Sequence, residues 1–153
     1  MTPYTPERIP PKIVSDKLKD NWNDWEDNIP LPEIVDVNED LETAIARYNL
    51  QDSDLVIIRT DTGGIRETWR DAHKYADELV NIEIVIFTMK DRQRLYDLMQ
   101  EIRRIFRTYK HFFGTYHEAI YLSFVELTQQ QLNIWNGIIR TQLDERRIYI
   151  GGE

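Results

Sequence analysis

The chain of 153 residues contains no cysteine, so it can form neither a disulfide nor a thiolate zinc site. It also has no run approaching the roughly 20 apolar residues that span a bilayer. Its start, MTPYTPERIPPK, has no apolar segment of the kind that a signal peptidase recognises. These absences argue against thiol redox chemistry and against a membrane-spanning helix. We therefore expect a soluble protein that is made in the cytoplasm and binds no membrane.

Familiar catalytic and metal-binding motifs are missing too. None of the three histidines, His73, His111 and His117, forms an i, i+4 pair or a His-Glu-x-x-His motif, and the His117-Glu118 neighbours alone carry little weight. No serine lies in a Gly-x-Ser-x-Gly elbow. The segment from Asp61 to Gly64 lacks the Lys-Ser/Thr of a phosphate-binding loop, so a hairpin turn explains it better. We expect no metal, no cofactor and no enzyme activity.

A hydrolase or nuclease is the weakest of three functional hypotheses, because only a set of carboxylates supports it. A nuclease site needs acidic side chains gathered around a metal, with a lysine or histidine nearby. Asp61, Glu67 and Glu83 are only a loose candidate set, because a chain with 27 acidic residues produces such sets by chance.

Composition favours one folded domain. Hydrophobic residues make up 41% of the chain and charged residues 30%, which is enough apolar material for a single core at this length. Four of the six prolines lie within residues 1–12, where they restrict the backbone and predict an extended arm. We expect this Pro-rich arm to precede a single α+β domain over residues 13–153.

The net charge of −8 is distributed unevenly. Residues 1–54 hold 13 of the 27 acidic residues but only five of the 19 basic ones, whereas the rest of the chain is balanced. Simple attraction to nucleic-acid phosphates is therefore disfavoured. An acidic first third is typical of a solvated face, and it also fits a charged assembly or channel surface.

Hydrophobic periodicity predicts a mostly antiparallel sheet with helices packed on one face. Ser15 is placed as the cap of a first helix, whose apolar stripe contains Val14, Leu18, Trp22 and Trp25. Gly63-Gly64 is expected to form a tight turn that makes Ile65 to Trp69 the hairpin partner of Leu55 to Arg59. The remaining predicted elements are a strand from Glu33 to Val37, a helix at 38–49, a central strand from Leu79 to Thr88, a long helix at about 90–110, a strand from Ala119 to Leu127, and a strand within the ambiguous segment 128–150.

The long helix carries a basic stripe, because Arg103, Arg107 and Lys110 follow one another at i, i+4 and i+7. One interpretation is an ordinary solvated face with internal ion pairs. The other is an interface, in which this stripe of one subunit receives the acidic N-terminal part of a neighbour. The residues assigned to that interface are Arg103, Arg107, Lys110, Trp22, Trp25, Asp20 and Asp24.

The run YADELVNIEIVIFTMKDRQRLYDLMQEIRRIF, from Tyr75 to Phe106, resembles the centre of the tail terminator (tail completion) proteins of long-tailed double-stranded DNA viruses. In that family an apolar strand leads directly into a long helix, and further strands close the sheet. The apolar run before it, from Asp54 to Arg59, resembles the strand that precedes the central one. The resemblance covers residues 54–150 and rests on the order of elements, without a catalytic motif.

The resemblance implies a virion protein that assembles as a hexameric ring in the host cytoplasm. Such a ring caps the finished tail tube and offers a docking surface to the head connector. DNA passes through its channel without specific binding, and an acidic lumen would let it slide. A small cytoplasmic adaptor or regulatory protein, which binds one partner through the charged helix face, is the alternative from another functional class.

Overall fold

The computed structural model describes residues 9–22, 29–36, 53–70, 75–127 and 134–148. They form one α+β domain, as the sequence predicts. Among these residues, no helix combines the length and the apolar character that crossing a lipid bilayer requires. In chain order, the elements are α1 (Pro10–Asn21), β1 (Glu33–Val35), β2 (Leu55–Arg70), β3 (Tyr75–Thr88), α2 (Arg92–Thr108), β4 (Glu118–Leu127) and β5 (Trp135–Ile148).

The five strands form one sheet in the order β1-β2-β3-β5-β4. Every neighbouring pair is antiparallel except β1 with β2, which is parallel. The strand predicted to be central, β3, is the third of five and pairs along its whole length with β5. The segment that was ambiguous in sequence thus contains a 14-residue strand, β5, within the sheet.

The first helix begins earlier than predicted. Pro10 and Pro11 occupy its first two positions, and Ile9 is the N-cap residue. Proline suits the first turn of a helix because its fixed φ is helical and its missing N–H has no acceptor there. The predicted extended arm over residues 1–12 is therefore wrong for Pro10 to Lys12, and Ser15 is buried inside the helix instead of capping it.

The predicted tight turn at Gly63-Gly64 is also wrong. Strand β2 runs through it and pairs with β3 on both sides, with Thr60 opposite Ile82 and Ile65 opposite Val80. Residues 61–64 therefore oppose one β3 residue, Asn81, in an irregular bulge. Gly64 supplies a φ of +58° in this bulge. Glycine permits this conformation, but the long β3 partner keeps the strand going in one direction.

Helix α2 follows the sequence pattern closely. Asp91 caps it by accepting a hydrogen bond of 2.7 Å from the backbone N–H of Arg94. The apolar stripe faces the sheet and is buried, as the 3.6-residue period predicts. Its buried apolar residues are Leu95, Leu98, Met99, Ile102, Ile105 and Phe106.

The main core lies between the sheet and the two helices. Val14 and Leu18 from α1 join the α2 stripe and one face of β2, β3 and β5. A second, smaller cluster of Leu55, Ile57, Val85 and Phe87 is buried on the other side of the sheet. Both helices therefore pack on one face, as predicted. The predicted helix at 38–49, Trp25 and residues 1–8 lie outside the described residues.

Candidate functional site

Two members of the basic stripe, Arg103 and Arg107, line an open groove of about 350 Å³. The groove runs along the C-terminal half of α2 and reaches Ile29, which precedes β1. Polar and charged side chains dominate its surface. The lining residues are Ile29, Gln100, Glu101, Arg103, Arg104, Arg107 and Thr108.

Arg104 is a fixed part of this groove. Its Nε lies 2.5 Å from Oε1 of Glu101, and its Nη2 lies 3.0 Å from Oε2, so the pair is bidentate. Nη2 also donates to the backbone carbonyl of Asn21 at 2.8 Å. Because Glu101 is buried, this arrangement neutralises a carboxylate in the interior and ties the end of α1 to α2.

Arg103 and Arg107 differ from Arg104 in this respect. Within the part of the chain that the structure describes, neither guanidinium has an ion-pair partner, and Arg107 is exposed. Both lie close enough to Tyr121 of β4 to influence its ionisation. Burial raises the pKa of the Tyr121 phenol, and the two positive charges act in the opposite direction. Among the described residues, the groove thus presents two adjacent cations without an acidic partner.

Lys110, the third member of the predicted stripe, lies beyond the end of α2. Its Nζ is 3.0 Å from Oε1 of Glu118 at the start of β4. This ammonium lowers the pKa of Glu118, chiefly through their hydrogen bond. Lys110 therefore has a partner within the chain. It does not line the groove, whereas Arg104 does.

The other predicted interface residues have separate environments. Trp22 is partly buried against the core, and its Nε1–H donates to the carbonyl of Ile29 at 2.9 Å. Asp20 is exposed on α1, one residue before the carbonyl that Arg104 binds. Trp25 and Asp24 lie outside the described residues. Asp20 is therefore adjacent in sequence to a residue whose carbonyl contacts the groove.

A buried ionic network, which the sequence did not indicate, lies at the opposite end of α2. Arg94 Nε donates to Oδ2 of Asp54 at 2.6 Å, and Arg94 Nη2 donates to the carbonyl of Pro30 at 2.7 Å. The hydroxyl of Thr88 donates to Oδ1 of Asp54 at 2.6 Å. These bonds join the entry to β1, the start of β2, the end of β3 and the first turn of α2. Both charged groups have hydrogen-bond partners, so we interpret the network of Asp54, Arg94, Pro30 and Thr88 as structural and call it the clamp.

The carboxylates considered for a nuclease site serve other contacts. Glu83 is buried on β3, and its Oε1 accepts a hydrogen bond of 2.9 Å from Nη2 of Arg59. Arg59 is its directly paired residue on β2. Asp61 and Glu67 lie on β2 on either side of Gly64, within and beyond the bulge. Glu83 is therefore held as a cross-strand ion pair.

One further group of side chains is brought together where β4 meets β5. His117, Glu118 and Asp144 place one ligand atom each within 4.8 Å of the others. Sequence spacing could show only the first two, because Asp144 arrives through strand pairing. Neither a scan of protein-family models nor a search of curated proteins gives a match for this chain.

Proposed function

We propose that the protein is a viral structural protein, a tail-terminator-like subunit of a ring that caps the tail tube and joins it to the head connector. The order of elements on which the resemblance rests supports this proposal. An apolar central strand, β3, leads within four residues into the long helix α2, and two antiparallel strands follow. The ring would act within the virion and would need no cofactor.

The observation that carries the proposal is the pair of arginines without ion-pair partners in the described residues. Arg103 and Arg107 lie side by side in an open groove of a chain whose net charge is −8. Acidic segments of a second copy are complementary to this groove. A contact between two different surfaces of identical subunits is heterologous, and such contacts close into rings when the rotation permits.

The acidic first third of the chain supports the second part of the proposal. A ring lumen lined by carboxylates repels the phosphate backbone, so DNA could pass without binding. Arg104 binds the backbone carbonyl of Asn21, and the exposed Asp20 on α1 directly precedes that residue. We propose Asp20 as one acid that a neighbouring subunit's groove receives.

The test is the mass of the purified protein in solution, measured by light scattering at several concentrations and at low and high salt. The ring predicts a discrete oligomer, near six subunits, that weakens as salt screens the contact. The double variant Arg103→Glu/Arg107→Glu should shift the oligomer to monomer. Arg66→Glu, which reverses an exposed arginine on β2, serves as the matched control and should leave the mass unchanged.

A charge swap sharpens this test. If Asp20 meets Arg107 of a neighbour, Asp20→Arg and Arg107→Glu should each weaken the oligomer, and the two together should restore it. A monomer under every condition would contradict the ring and favour the adaptor hypothesis. An oligomer that both arginine reversals leave intact would place the interface elsewhere.

A further inference from the structure

We propose that His117, Glu118 and Asp144 form a binding site for a divalent transition-metal cation. The three residues lie where β4 begins, beside β5, and their ligand atoms lie within 4.8 Å of one another. This proposal does not depend on the ring, because all three ligands come from one chain.

The distance between two of the ligand atoms supports a shared cation. His117 Nε2 and Asp144 Oδ2 are 3.6 Å apart. That is longer than the roughly 2.7–3.2 Å of a protein hydrogen bond. Two ligands on one tetrahedral zinc, with bonds of about 2.0–2.1 Å, are separated by roughly 3.4 Å. The separation of this pair is therefore close to that of two ligands of one tetrahedral ion.

The backbone around the site holds the ligands in place. Glu118 and Asp144 are directly paired residues of β4 and β5. The N–H of His117 donates to the carbonyl of Asp144 at 3.0 Å. In addition, the ring Nδ1 of His111 lies 2.8 Å from the carbonyl of His117. Because strand pairing sets the spacing of these residues, metal binding would require only side-chain adjustment.

The donor set indicates the class of cation. One imidazole nitrogen and two carboxylate oxygens suit Zn²⁺ and neighbouring first-row cations. Three protein ligands leave a position for water in a tetrahedral site. The His117 side chain is 46% exposed, so a cation can reach it from solvent.

Lys110 provides a further test of the proposal, because its ammonium group would compete with the cation for Glu118. Its ammonium lies 3.0 Å from Oε1 of Glu118, where it already compensates one carboxylate charge. A bound cation would face this positive charge at close range. Removal of the ammonium should therefore strengthen metal binding, whereas an ordinary surface ion network predicts no such gain.

Isothermal titration of the full-length protein with Zn²⁺ tests the site. We expect one ion per chain and at least a tenfold loss of affinity in His117→Ala and in Asp144→Asn. Lys110→Met should bind Zn²⁺ more tightly than the parent protein. His73→Gln, which removes a histidine far from the site in sequence, is the matched control and should bind as the parent does. Thermal unfolding without metal verifies that each variant folds.

Several results would overturn the site. These are the absence of binding heat with millimolar Zn²⁺, an affinity unchanged by His117→Ala, or an affinity that falls in Lys110→Met. Loss of binding in His73→Gln would assign the ion to another location. Because the readout is metal binding by a single chain, the site can fail while the ring stands, and the reverse.

Discussion

Nε of Arg94 donates a hydrogen bond to Oδ2 of Asp54 across 2.6 Å, and their side chains are only 8% and 2% exposed. The two residues are 40 positions apart in the chain. Around them, the carbonyl of Pro30 and the hydroxyl of Thr88 complete the hydrogen bonding. A buried ion pair is tolerated when such additional bonds satisfy both charges. This clamp ties the first turn of α2 to the start of β2.

Removing one partner of the clamp should destabilise the protein strongly. Asp54→Ala leaves the Arg94 guanidinium buried without its carboxylate, so we expect the free energy of unfolding to fall by about 3–5 kcal/mol. Urea denaturation measures this change. The control is Asp16→Ala, which removes a carboxylate from a solvent-exposed pair with Lys12 and should have a much smaller effect. Equal losses in the two variants would argue against the clamp.

Trp22 should contribute to stability and not to self-association. Its indole N–H satisfies the carbonyl of Ile29, and phenylalanine can keep much of the packing while losing that bond. Trp22→Phe should therefore lower the free energy of unfolding by about 1 kcal/mol. Light scattering should show the same mass as the parent protein. If the mass changes while the stability does not, Trp22 belongs to the interface that the sequence predicted.

Gly137 should not tolerate a side chain. A Cβ at this buried position would lie 2.5 Å from Cε1 of Phe124, on the neighbouring strand β4. Gly137→Ala should lower the free energy of unfolding by about 1–3 kcal/mol through overpacking. In a double-mutant cycle, Phe124→Leu should reduce that loss, since the smaller side chain frees the space. If the effects of Gly137→Ala and Phe124→Leu are additive, the aromatic ring of Phe124 is not what opposes the new Cβ.

Glu126 should make a pH-dependent contribution to stability. Its pKa is lowered mainly by the hydrogen bonds from Arg92, with a second contribution from the hydroxyl of Tyr96. A lowered folded-state pKa means that the carboxylate stabilises the fold above its unfolded value of about 4.3. The contribution is then lost as pH falls through the lower, folded value. Glu126→Gln should thus unfold more easily than the parent at pH 7, and this difference should shrink in acid.

An NMR titration provides the direct measurement for Glu126. The midpoint of its carboxyl resonance should lie below the ordinary glutamate value in the parent protein. In Arg92→Gln, that midpoint should move upward. An unshifted midpoint in the parent would mean that the Arg92 contact at the surface is too mobile to act.

Local patterns were enough to predict much of the fold. The apolar spacing from Leu95 to Phe106 gave the helix and its buried face, because both follow from residues within a few turns of one another. Alternation predicted β3 and β4 in the same way. In the candidate site, the helical wheel predicted that Arg103 and Arg107 share one side of α2, and both line the groove. It could not show that the end of α1 engages Arg104, because that contact joins residues 83 positions apart.

Predictions that depended on distant partners were the ones that failed. Gly63-Gly64 reads as a turn when considered alone, yet pairing with β3 on both sides makes it a bulge. Pro10 reads as extended chain, although the first position of a helix accommodates proline equally well. In both cases the local residues permit two conformations, and the packing of the whole chain selects one.

By itself the sequence determined the elements with strong periodicity, the buried face of each and the overall imbalance of charge. These properties belong to contiguous residues, whose side chains repeat every two or 3.6 positions. The tertiary structure alone decided which charges meet, as when Asp54 is buried against Arg94 and Asp144 arrives beside His117. These long-range contacts depend on strand order and register. Both follow from the free energy of the entire fold and cannot be read from the spacing of neighbouring residues.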